Sequence, residues 1–254
     1  VRQTAAAAAV HGMACRAVVA NVFSGTDRDY LGNGNALLFD IFGARIATVA
    51  ADADLEAALA REVEKVRAEG GRPYHVPIGG SSPIGALGYV AAAEELAAQA
   101  AQAGLSFDLV VHASGSAGTQ AGLICGLRRL APHTRVVGVS TSRGREAQEA
   151  RVRALADEVE KLLPDGRPVE PGEVTVWGEY FAPSYGVPNE GGVAALREVA
   201  RREGVVLDPI YTGKAMAGLI DRIRTGRLDG AQRVLFVHTG GAVANFAYAD
   251  SLRS

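Results

Sequence analysis

Asp108-Leu-Val-Val-His112-Ala113, followed at once by Ser114-Gly115-Ser116-Ala117-Gly118-Thr119, is the stretch that decides the fold. An apolar, β-branched run that breaks into glycine and serine reads as a buried strand feeding a helix, with the helix starting near Gly118. Gly115 and Gly118 let backbone N–H groups converge on an anion, and the helix N-terminus adds positive potential. Ser114, Ser116 and Thr119 supply hydroxyl donors. No lysine follows, so the turn is not a Walker A loop. The spacing is not G-x-G-x-x-G, and Ser114 stands where a hydrolase elbow needs glycine. A tight, well-capped strand–helix turn is the plain alternative. The physics of helix N-termini favours a phosphate-binding loop.

The same alternation runs outward in both directions. Upstream, a helix over 2–12 leads to a strand over 15–20, polar turn residues over 24–34, a helix over 35–42 and a strand over 45–49. A helix over 52–69 follows, with Leu55, Ala58, Leu59 and Val63 at helical spacing. Then come a short strand over 74–77 and an Ala-rich helix over 85–103. Downstream of the 114–119 turn, helices are expected over 118–130, 144–163, 191–203 and 213–225. Strands are expected over 135–140, 174–177 and 233–238. Strands alternating with helices of this length define βαβ units and a mostly parallel sheet. The Gly/Ser/Pro stretch 79–83 divides the chain into an expected smaller domain, 1–83, and a larger one, 84–254.

Composition narrows the class. The chain has 254 residues, 48% hydrophobic and 21% charged, with net charge −2. That charge gives no electrostatic footprint for nucleic acid or an anionic membrane. No apolar run reaches the ~18–20 residues of a membrane span. The Ala-rich start lacks the basic flank of a secretory signal. Cys15 and Cys125 read as buried thiols of a reducing compartment rather than a disulfide. The expectation is a cytoplasmic α/β protein with neither nucleic-acid nor membrane partners. The five histidines show no metal-ligand spacing, so no metal is expected.

Three further turns stand out, because ligands in open α/β sheets bind beyond the carboxyl ends of strands. His238-Thr239-Gly240-Gly241 would aim Thr239 into the ligand crevice, or would be a glycine-enabled turn with a core-facing histidine. Tyr211-Thr212-Gly213-Lys214 carries a tyrosine suited to proton donation or to plugging a core edge. Its lysine reads as solvated rather than as a Schiff-base former. The loop 181–190, with Tyr185 at its centre, reads as a lid or as plain structure.

Together these segments resemble the D-cysteine desulfhydrase and 1-aminocyclopropane-1-carboxylate deaminase family of pyridoxal-phosphate enzymes. The pieces that carry the likeness are Arg2-Gln3-Thr4-Ala5-Ala6, Gly32-Asn33-Gly34-Asn35, Pro77-Ile-Gly-Gly-Ser81 with Gly85-Ala-Leu-Gly88, the 114–119 turn, the 181–190 loop, the 208–216 segment and the 238–241 turn. They occur in family order over nearly the whole chain. The resemblance implies the two-domain, three-layer α/β/α architecture of fold-type II pyridoxal-phosphate enzymes, of which tryptophan synthase β is the model. It also implies a homodimer and a small amino-acid substrate.

Roles carried over residue by residue follow from that resemblance. Ser114, Gly115, Ser116, Ala117, Gly118 and Thr119 would hold the cofactor phosphate. Tyr185 and Tyr211 match active-site tyrosines. Thr212 and Thr239 match positions that separate the branches, where deaminases carry Glu and Leu. A threonine hydroxyl offers the cofactor ring only a neutral hydrogen bond, a weaker electron sink suited to expelling sulfide. The expected reaction is α,β-elimination of D-cysteine to pyruvate, sulfide and ammonia. L-cysteate sulfo-lyase and deaminase activities are the alternatives within the family. The family's serine motif and its Gly-Gly-Asn-Lys segment precede Arg-Gln-Thr-Ala, so the resemblance implies about 70–80 residues ahead of Val1, the cofactor lysine among them. From another class, the alternative is a non-catalytic phosphate-binding remnant, since Lys65, Lys161 and Lys214 lie outside that motif.

Overall fold

The computed structural model describes residues 1–21, 28–228 and 230–253. Contacts divide the chain into two units, Val1–Pro77 with Val243–Ser254, and Ile78–Ala242.

The first unit holds α1 (Arg2–Val10), β1 (Arg16–Asn21), α2 (Arg28–Gly32), α3 (Asn35–Ile41), β2 (Arg45–Ala50) and α4 (Leu55–Ala68). β1 and β2 pair in parallel, from Arg16 opposite Arg45 to Asn21 opposite Ala50. A parallel pair needs a crossover, and α2 and α3 lie in the segment between the two strands. α4 starts where Asp54 accepts the Ala57 N–H at 3.0 Å, a side-chain N-cap.

The second unit holds α5 (Pro83–Gln102), β3 (Leu109–Ser114), α6 (Gly118–Leu130), β4 (Arg135–Ser140), α7 (Arg145–Glu160), β5 (Thr175–Trp177), α8 (Glu190–Glu203), α9 (Thr212–Arg224) and β6 (Val234–Phe236). α10 (Ala249–Leu252) returns to the first unit. The four strands run in the order β5-β4-β3-β6, all parallel. β3 is central, and each of its residues is buried, as a parallel strand covered on both faces must be. Side chains alternate between the faces. Val110 packs with Ala121, Ile124 and Leu127 of α6 and with Val152 and Ala156 of α7. Leu109, Val111 and Ala113 pack with Ala215 and Leu219 of α9. The result is the expected helix–sheet–helix sandwich. α5 and α6 approach closely because Gly122 faces α5: a Cβ there would sit 2.3 Å from the Ala86 carbonyl oxygen.

Three expected elements differ. Residues 74–77 form no strand, because Pro73 and Pro77 remove backbone donors from a short segment. The polar turn expected over 24–34 lies outside the described residues up to residue 27, and the chain from Arg28 forms α2 instead. The last strand is only three residues long. It pairs with β3 on one side alone, and its continuation turns at His238. The His238 ring accepts the Gly240 N–H at Nδ1, 3.1 Å away, so Nε2 carries the proton and donates to the Val206 carbonyl at 3.0 Å. That histidine is exposed rather than core-facing.

Candidate active site

Because β3 and β6 are neighbours, the turns after them lie side by side at the carboxyl edge of the sheet. A cavity of about 240 Å³ opens between them. It is lined by 113–117, Thr119 and Gln120 from one turn, Thr239, Gly240 and Gly241 from the other, Tyr211 ahead of α9 and Tyr89 of α5.

The 114–119 turn is shaped for an anion. Ala117, the N-cap of α6, adopts a left-handed backbone with φ 85°, and its side chain makes no cap bond. A non-glycine residue in that region is a local strain of the sort found at ligand sites. The Gly118 N–H is taken by Ser81 Oγ at 3.1 Å. Among the described residues, no hydrogen bond within the chain uses the backbone N–H of Ser116, Ala117 or Thr119. Uncommitted amides at a helix N-terminus beside a cavity suit a phosphate.

The hydroxyls of the turn divide into two groups. Ser114 is buried and faces inward: its Oγ donates to Gln120 Oε1 at 2.7 Å and accepts from Gln148 Nε2 at 2.8 Å. Gln120 Nε2 continues to the Thr175 carbonyl at 2.8 Å. Gly138 on β4 makes room for this amide, since a Cβ there would lie 2.1 Å from Gln120 Oε1. Ser116 Oγ accepts from Ser81 Oγ at 2.7 Å. Ser116 and Thr119 therefore remain the hydroxyls available to a ligand.

Tyr211 caps α9 and lines the cavity. Its hydroxyl hydrogen-bonds that of Tyr185, and the two rings meet edge-on with centroids 5.9 Å apart. Asp208 fixes this end of the helix. It is fully buried, and its carboxylate accepts from the N–H groups of Ile210 (2.9 Å), Tyr211 (2.8 Å) and Thr212 (2.8 Å). Thr212 Oγ1 donates to Asp208 Oδ1 at 2.7 Å and accepts the Asp208 N–H at 2.9 Å. Thr212 is itself fully buried and does not line the cavity; Thr239 does.

Lys214 corrects the expectation of a solvated side chain. It is fully buried, and Nζ donates to the carbonyls of Phe181 at 2.9 Å and Ser184 at 3.1 Å. Burial lowers its pKa. The ammonium ties down the loop that carries Tyr185, and no atom of it lines the cavity. Asn189 holds the same loop, with Nδ2 donating to the Ala182 carbonyl at 2.8 Å while Oδ1 caps α8 at the Gly192 N–H.

Sequence reasoning missed several contributors as site residues. Ser81, Tyr89, Gln120, Gly240 and Gly241 belong to the cavity or touch its loop. A local signal existed for Asp208, an acidic residue four positions ahead of a helix start. Both cysteines are free. Burial pushes the Cys125 thiol up to about 12, and Cys15 is only half-buried. Among the described residues no cluster of His, Cys, Asp and Glu could hold a metal, and no helix is long and apolar enough to cross a membrane.

This constellation, an amide cradle at a helix N-terminus beside a cavity edged by tyrosine and threonine, suits a phosphate-bearing ligand in an α/β protein. The chain belongs to the pyridoxal-phosphate dependent enzyme family, whose model matches residues 1–240. It is 47% identical over 248 residues to a D-cysteine desulfhydrase of Yersinia enterocolitica, covering 98% of this chain and 74% of the relative. It is 47% identical over 249 residues to a D-cysteine desulfhydrase of Serratia proteamaculans, again covering 98% and 74%. A solved structure described as an ACC deaminase homologue superposes with a TM-score of 0.83 at 37% identity, over 98% of this chain and 72% of that one. The fold is accordingly that of the fold-type II pyridoxal-phosphate enzymes.

Proposed function

We propose that this chain carries the α,β-elimination of D-cysteine, in which D-cysteine and water give pyruvate, hydrogen sulfide and ammonia. The observation that carries the reading is the 114–119 turn: its uncommitted amides border the same cavity as Tyr211 and Thr239. Pyridoxal phosphate, when bound, supplies the electron sink that lets bonds at the amino acid's α-carbon break.

The chain's own residues then have distinct tasks. The N–H groups of Ser116, Ala117 and Thr119, with the Ser116 and Thr119 hydroxyls, hold the phosphate. Gly115 and Gly118 keep the turn open to it, while Ser114 braces the turn from behind. Thr239 presents a neutral hydroxyl to the cavity. Thr212 commits its own hydrogen to Asp208, so it contributes through the shape of this helix end. Tyr211 and Tyr185 share a hydrogen bond, a pair able to hold or pass a proton at the substrate.

A thiol on the β-carbon fits this site better than a sulfonate. Among the described residues no lysine or arginine lines the cavity, and a cysteate sulfo-lyase needs a cation for the sulfonate. The relatives named above favour a desulfhydrase over a deaminase. The family's habit supports a homodimer, and two free cysteines suit a reducing cytoplasm. The test is to measure sulfide from D- and L-cysteine, sulfite from cysteate, and ammonia from 1-aminocyclopropane-1-carboxylate. Sulfide from D-cysteine is the expected product; turnover of neither cysteine overturns the reading.

A further inference from the structure

Two arginines lie behind the 114–119 turn, outside the cavity. Arg143 follows β4; its Nη1 donates to the Gly115 carbonyl at 2.7 Å, and the same guanidinium bonds Gln148. Arg151, on α7, points Nε at the Ser116 carbonyl at 3.4 Å. In a trans peptide the carbonyl and the following N–H point in opposite directions. Fixing the carbonyls of Gly115 and Ser116 toward the arginines therefore turns the N–H groups of Ser116 and Ala117 away from them. Those are two of the amides left without a partner among the described residues.

The charges are unusual as well. Two other arginines of this unit meet carboxylates: Arg128 pairs with Glu173 at 2.8 Å and Arg129 with Glu160 at 2.5 Å. Among the described residues, neither Arg143 nor Arg151 has a carboxylate within ion-pair distance; their partners are carbonyl oxygens and Gln148. Burial, and then the neighbouring charge of Arg151, lower the Arg143 pKa. Two cations with no anion of their own back onto a loop built for one.

We propose that Arg143 and Arg151 are positioning residues for the cofactor phosphate: they orient the peptides that bind it and supply positive charge against its dianion. The proposal rests on reading 114–119 as the phosphate loop. Its consequence is selective, because pyridoxal lacks the phosphate. Removing either arginine should weaken pyridoxal phosphate and spare pyridoxal.

The test is equilibrium dialysis of the full-length protein with pyridoxal phosphate and with pyridoxal. The proteins compared are wild type, Arg143→Met, Arg151→Met and Thr119→Val. Arg143→Met is expected to weaken pyridoxal phosphate about tenfold, the worth of one charge-assisted hydrogen bond. Arg151→Met, exposed and at longer range, is expected to weaken it about two- to threefold. Pyridoxal affinity should hold in both. Arg151→Met removes an exposed side chain and decides the matter if Arg143→Met does not fold. Equal losses for both ligands, or wild-type affinity for pyridoxal phosphate in the arginine variants, overturn the proposal. If Thr119→Val alone lowers selectivity, the loop reading stands and the arginine role falls. If no variant lowers it, both fall.

Discussion

The hydroxyl of Tyr185, from the middle of a loop, meets the hydroxyl of Tyr211, the N-cap residue of a helix. The residues are 26 apart in the chain. Their pairing brings two ionisable hydroxyls together, one of them on a residue that lines the same cavity as the 114–119 turn. Tyr211→Phe keeps the ring and removes the hydroxyl at the cavity itself. It is expected to lower kcat/KM for D-cysteine about 10²-fold or more, with cofactor affinity unchanged. Tyr185→Phe, one bond further out, should cost less. Sulfide release and cofactor titration read both, and a larger loss in Tyr185→Phe would reverse the assignment of Tyr211 as the nearer group.

Lys214 is the clamp on that loop. Lys214→Met retains the bulk, removes the ammonium from the Phe181 carbonyl and leaves the Ser184 carbonyl with only the long Val187 N–H bond at 3.4 Å. The expected cost is roughly 1 kcal/mol, the net worth of the lost charge-assisted hydrogen bonds at half-buried carbonyls. Faster amide exchange over residues 180–187 should accompany it. Unaltered exchange there would mean that Asn189 alone secures the loop.

Gly138→Ala probes the support beneath the 114–119 turn. The added methyl must displace the Gln120 amide, and with it the partner of Ser114. A destabilisation of roughly 1–3 kcal/mol is expected from overpacking, together with weaker binding of pyridoxal phosphate. Thermal unfolding and cofactor titration check the two parts separately. Wild-type values in both would show that the network yields without consequence.

His112 makes a pH prediction. Burial lowers its pKa from 6.5 to about 4, against a small opposing contribution from the Ala113 carbonyl. The unfolded chain binds this proton first, so folding stability is fully present above about pH 6.5 and falls as the pH drops toward about 4. The loss is on the order of 3 kcal/mol. Urea unfolding at pH 7 and pH 4.5 should show a shallower decline in His112→Gln than in wild type. Parallel declines would place the acid sensitivity elsewhere.

The 114–119 segment was legible as strand end, turn and helix start because its signal is local. A β-branched run that ends in Ser-Gly-Ser-Ala-Gly-Thr encodes strand, turn and helix start within one dozen residues, whatever lies around it. The alternation of helices and strands was legible for the same reason. Where local propensity was opposed, the outcome differs: the segment 74–77 looks like a strand until Pro73 before it and Pro77 at its end are given their due. Lys214 reads as solvated because a lysine ordinarily is. Its burial follows from two carbonyls 30 and 33 positions away, which no helical pattern announces.

The hydroxyls show the division most clearly. From sequence, Ser114, Ser116, Thr119, Thr212 and Thr239 are alike, polar groups in turns at strand ends. Composition and spacing by themselves determined the α/β class and, through the family resemblance, the cofactor, and they made 114–119 the candidate anion loop. Only the tertiary structure decided that Ser114 and Thr212 turn inward to Gln120, Gln148 and Asp208, while Thr119 and Thr239 face the cavity. The reason is physical. A turn's backbone shape is set by its own residues, but a hydroxyl's direction is set by whichever partner lies within hydrogen-bonding reach. For Ser114 one of those partners, Gln148, comes from a helix 34 residues away.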